Sequence, residues 1–201
     1  MATKSAPTTA QKSAPARKPQ VRQAITLELV RAHAPHAGLA ENLSRTFGID
    51  PVDYAAIREN TEEHMVRCAN ELTDNLNAKA MEIHLQRIAG AFVGSAYGAA
   101  TFYQSKVTTA RDLTVASQND DRDEDRTGVA GFESKAERAR QFAAEMGLQA
   151  YALMAAAEGA VHAYAHITGG DWKPYEPPVA ASSSTSTSRK SAAEQMAAFG
   201  G

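Results

Sequence analysis

His162 and His166 stand four residues apart, and Glu158 lies four residues before His162, so a helix would carry all three on one face. Neutral imidazole nitrogens and a carboxylate are ligands for zinc, copper, nickel or iron. His84, from an earlier stretch, is the fourth candidate. The chemistry on offer is transition-metal binding by His84, His162, His166 and Glu158. The structural alternative carries more weight, because His162 and His166 share their stripe with Leu148 and Ala155 and would serve as hydrogen-bonded residues at the edge of a core. No other cofactor is implied.

Other chemistries fit less well. A ferritin-like di-iron site needs Glu-x-x-His on two helices, whereas Glu158 and His162 are spaced i, i+4 and Glu82 and His84 i, i+2. Asp121, Asp123 and Asp125 resemble the opening of a calcium loop, but its sixth position holds Arg126 and its twelfth Phe132, so a solvated acidic loop is expected. No nucleophile stands beside a base in a signature spacing, which argues against covalent catalysis and for a protein that is not an enzyme. The one cysteine, Cys68, rules out an internal disulfide and fits a reducing, cytoplasmic setting; it reads as a small buried residue of a helical stripe. Glu62, Glu63 and His64 are expected to face solvent.

The elements that would position these residues are helical. The chain has 201 residues, 43% hydrophobic and 22% charged, enough for one domain with a core plus tails. Low aromatic content and abundant Ala, Leu and Glu point to an all-α body. Residues 1–20 contain no large apolar side chain and read as a disordered basic tail, residues 21–178 as one helical domain, and residues 179–201 as a Ser/Thr-rich flexible tail ending in a short amphipathic segment. Within the domain, Ile25, Leu29 and Ala32 mark a short helix stopped by Pro35. Leu39, Leu43 and Phe47 mark a second, stopped by Gly48.

Asp50-Pro51 is a start signal for a long helix, and the apolar stripe from Tyr54 through Met65, Leu72 and Ile83 continues without proline to Gln118. A single helix over about 51–118 would be roughly 100 Å long. After an acidic, glycine-punctuated loop, a second long helix over about 132–168 stops at Gly169-Gly170, and Trp172 and Tyr175 are expected to pack back as a clip. Two long helices joined by one loop form an antiparallel hairpin, in a coiled-coil manner, with partner residue numbers adding to about 250.

That register gives meaning to Gly90, Gly94 and Gly98, which recur every four residues in an uncharged run. Each costs roughly 1 kcal/mol of helix propensity, a cost that suggests close backbone approach. The predicted partners are Ala160, Ala156 and Ala152, making a small-residue seam with the histidines at its far end. The run is too rich in Gly, Ala and Ser to read as a membrane span.

The expected function is that of a non-enzymatic structural or interaction protein. Phe92, Ala99 and Phe102, with Trp172 and Tyr175, lie off the seam and supply surplus apolar surface for a homo-oligomer or a helical protein partner. A further reading uses Lys4, Lys12, Arg17, Lys18 and Arg22, five basic residues in a segment without acids, for non-specific nucleic-acid contact.

Overall fold

The computed structural model describes residues 24–120 and 129–174. The N-terminal basic residues, the loop aspartates 121–125, Tyr175 and the Ser/Thr-rich end lie outside them. The described residues form five α-helices and no strand: α1 Leu27–His33, α2 Ala37–Phe47, α3 Tyr54–Thr73, α4 Ala78–Asp120 and α5 Val129–Thr168.

Local signals explain most boundaries. Thr26 caps α1 by accepting from the Leu29 amide at 3.3 Å, and the helix ends at the residue before Pro35, where α geometry is disfavoured. His36 caps α2 through Nδ1, and Gly48 closes it in the left-handed region at φ 64°. α3 starts slightly later than the Asp50-Pro51 signal implies, because Asp53 is the cap in use: its Oδ1 accepts from the Ala56 amide at 3.0 Å. Gly169, at φ 72°, ends α5.

The long helix expected over 51–118 is two helices. Asn75 and Asn77 break it by offering the backbone local alternatives: Asn75 Nδ2 donates to the Glu71 carbonyl at 3.1 Å, and Asn77 Oδ1 accepts from the Ala80 amide at 2.9 Å as the cap of α4. The chain reverses there. Met65 and Ala69 of α3 come back to pack with Leu85 and Ala89 of α4 and with Ala160 and Tyr164 of α5, so α3 runs antiparallel to α4 and parallel to α5.

The α4 and α5 hairpin has the expected direction and register. Val93 and Ala157 share one buried cluster, as do Ala96 and Met154, while Ala100 and Ala150 share the next, all adding to 250. The face that α4 turns to α5 is a different one from the glycine row. It consists of Leu85, Ala89, Val93, Ala96, Ala100 and Tyr103, all buried, whereas a Cβ built on Gly94 or Gly98 would meet nothing within 4 Å and one on Gly90 would touch only Trp172. Four residues turn a helix through about 400°, so a row at i, i+4, i+8 drifts about 40° per step and leaves a seam that spacings of four and three hold. Of the predicted partners, Ala160 is fully buried in the cluster with Ala89, Ala156 is buried and Ala152 half-buried. None meets a glycine of the row.

The close approach lies on α5 instead. A Cβ on Gly159 would collide with the Arg58 carbonyl oxygen and come within 3.2 Å of Thr61 Cβ, and one on Gly147 would lie 2.9 Å from both Leu43 and Tyr103. These glycines let α3 and α2 settle onto α5. Ion pairs and rings then fix the layer: Tyr54 stacks at a tilt on Tyr151 at 4.7 Å, and His33 sits edge-on to Tyr97 at 5.6 Å. Residues 171–174 fold back on α4, where Trp172 Nε1 donates to the Gln86 carbonyl at 3.0 Å and Gln86 Nε2 donates to the Lys173 carbonyl at 2.8 Å. No helix among the described residues is long and apolar enough to cross a membrane.

Candidate functional sites: an ion-paired cleft and an aromatic edge

The four predicted metal ligands do not converge. His84, His162 and His166 are all exposed, on α4 and α5, and no group of three His, Cys, Asp or Glu among the described residues is placed to hold a metal ion. The reason is phase. Residues 84 and 166 stand at the same level of the hairpin, but Leu85, Ala163 and Tyr164 are the neighbours turned inward, which leaves the histidines on outer faces.

Two of the four, Glu158 and His162, have other partners. Glu158 accepts from Arg31 Nε of α1 at 2.7 Å, and His162 Nδ1 lies 3.2 Å from Glu62 Oε1 of α3, which also accepts from Arg58 Nε at 2.9 Å. Glu62 is thus half-buried and engaged, contrary to the solvent-facing expectation. The Tyr54 phenol is pushed well above the ordinary tyrosine range, first by burial and then by its hydrogen bond to the Glu158 carboxylate. Burial also raises Tyr151, with Glu158 adding to the effect. Cys68 is half-buried, its Sγ 3.6 Å from His64 Nε2 one turn earlier.

These ion pairs border a cleft of about 580 Å³ between α1, α3 and α5, closed at one side by residues 171–174. Leu27, Val161 and Ala165 supply apolar wall, Trp172 an aromatic one, and Arg31, Arg58, Glu28, Glu158, His162, Asp171 and Lys173 the charges. Missing this site from sequence has a simple cause. Its groups come from four separated segments, joined only when α3 folds back along α5.

The second candidate is an aromatic edge on the hairpin. Phe102 of α4 is 45% exposed and Phe142 of α5 41%, and their rings meet edge to face at 6.4 Å. Lys106 Nζ lies 4.6 Å from one ring centroid and 5.8 Å from the other, a cation–π arrangement over the pair. Val107 and Val115 are exposed further along α4. The other residues expected on an interaction surface fare differently. Phe92 is half-buried between two core clusters, edge-on to His64 of α3, and Ala99 packs on the cluster of Ala100, Tyr103 and Ala150. Trp172 belongs to the clip. Phe102 alone of the described members of that set faces outward, and Phe142 was not legible in sequence, because a register adding to 250 sets residue 142 opposite 108, six residues beyond Phe102.

No family model matches the chain, and neither a curated protein nor a solved structure matches it.

Proposed function

We propose that this is a non-enzymatic helical interaction protein that assembles through the α4 and α5 hairpin, with a second copy of itself or with another helical protein. The observation that supports this reading is the Phe102 and Phe142 pair, two large apolar rings left uncovered where α1, α2 and α3 no longer overlie the hairpin. Their nearest covering contacts end at Gln104, whose Nε2 donates to the His33 carbonyl at 2.9 Å, and at Gly147, against Leu43. Fully burying an aromatic side chain is worth about 1.5–3 kcal/mol; with 45% of Phe102 and 41% of Phe142 exposed, association gains a little under half of that per ring, and the exposed valines and a polar rim must add to it.

Light scattering over a wide concentration range tests it on the full chain. A mass that rises with concentration, and a Phe102→Ser plus Phe142→Ser variant that stays monomeric with unchanged helical circular dichroism, is the expected result. A monomer throughout, or a variant that associates as the parent does, overturns self-assembly through this edge.

A further inference from the structure

The cleft between α1, α3 and α5 is unused by the interaction role, and its charges are arranged in an unequal way. Arg31 is anchored through Nε to Glu158 and Arg58 through Nε to Glu62. Among the described residues these carboxylates are the only hydrogen-bond acceptors of the two guanidiniums. A guanidinium has five N–H donors in a planar fork, so each arginine is held by one side of its fork and keeps donors for an incoming acceptor. Prior anchoring also lowers the ordering cost that long side chains usually add on binding.

The same cleft has an acceptor to spare. Asp171 lines it without an ion pair among the described residues, two positions from Lys173 in the clip, whereas the Glu28 carboxylate already accepts from its own backbone amide and from the Thr26 hydroxyl. Glu158, His162 and Lys173 complete the charged lining. Counting Glu62, which holds Arg58, the cations Arg31, Arg58 and Lys173 face the carboxylates Glu28, Glu62, Glu158 and Asp171, a mixed lining that suits a ligand carrying both signs better than a simple anion. Between the charges run Val161, Ala165 and the Trp172 ring, whose N–H is already committed to the Gln86 carbonyl. The volume of about 580 Å³ is in the range for small-molecule sites, about 300–1,000 Å³.

We infer that this cleft binds a small zwitterion with an apolar side chain, of the α-amino acid class. The ligand carboxylate engages the free donors of Arg31 and Arg58, its ammonium group is accepted by Asp171, and its side chain lies on Val161, Ala165 and Trp172. Charge-assisted hydrogen bonds of this kind are about twice as strong as neutral ones.

Trp172 is the only tryptophan in the chain, so its fluorescence reports on this cleft and on the seating of the clip against α4. Titrating the full chain with L-leucine should give a saturable change. N-acetyl-L-leucine, which lacks the ammonium, and L-leucinamide, which lacks the carboxylate, should each bind at least about tenfold more weakly. Arg58→Gln, checked for folding by circular dichroism, should weaken leucine by a similar factor. The inference is overturned by an absence of saturable change with leucine, by either derivative titrating like leucine itself, or by an Arg58→Gln protein that folds and binds like the parent. The two derivatives need no variant, so a misfolded Arg58→Gln protein would leave the test intact.

Discussion

Two sets of helical glycines in this protein have opposite roles. Gly90, Gly94 and Gly98 form a regular row on α4, yet the space beside Gly94 and Gly98 is open and Gly90 has only a tryptophan ring nearby. Gly147 and Gly159 are twelve residues apart on α5 with no visible pattern, and both are needed for the layers above them to close. Regular spacing is therefore a poor guide to close approach. What matters is whether the position lies on the line where another backbone arrives, and α5 receives α2 at Gly147 and α3 at Gly159.

The contrast is sharpest at Gly159. Alanine there would place a methyl group against the Arg58 carbonyl, backbone that cannot yield without moving α3. We expect Gly159→Ala to destabilise the fold by about 3 kcal/mol, well beyond the propensity it gains, and chemical denaturation would measure it; a variant as stable as the parent would remove the close α3 contact from the description. Gly147→Ala meets the Leu43 tip and the buried Tyr103 ring at 2.9 Å. Leucine can turn aside more easily than backbone, so the expected loss is smaller, about 1 kcal/mol.

The outer row should respond with the other sign. Gly94→Ala and Gly98→Ala each gain about 0.5–1 kcal/mol through helix propensity and a less flexible unfolded chain. A loss of stability in either would indicate that the row is covered after all, and a loss of self-association in the pair would move the interface from the aromatic edge to the glycine face.

The smallest effect, absent at neutral pH, concerns the contact of α3 with α5. Tyr54 has its phenol pKa raised in the fold, so as pH passes the ordinary tyrosine value of about 10, the unfolded chain releases this proton while the folded chain retains it. The unfolded state then binds fewer protons, and stability present below about pH 10 falls as pH rises. Tyr54→Phe should flatten that alkaline decline in thermal unfolding followed from pH 9 to 11. An identical decline would assign it to Tyr103, Tyr151 and Tyr164, which burial also raises.

The aromatic edge and the cleft differ in a related way. The edge is made by two helices whose register follows from one short loop, and Phe102 was legible from its position off the core stripe. The cleft depends on α3 turning back at Asp74 to Asn77. Its Arg58 and Glu62 lie on the helix that reverses, Arg31 on α1, and Glu158 and His162 on α5.

What the amino-acid order determined by itself was local and periodic: the helical class, the stops at Pro35, Gly48 and Gly169, and the antiparallel α4 and α5 register, because hydrogen bonding within a turn and the 3.6-residue period depend on near neighbours only. The tertiary structure decided the rest. Two asparagines that compete for backbone groups divided the long helix, a phase difference of roughly one residue, about 100°, turned the glycine row outward and separated the histidines, and α3 used Gly159 to reach α5. Each of these is a choice between faces of the same helix, and a face acquires its meaning only from what packs against it.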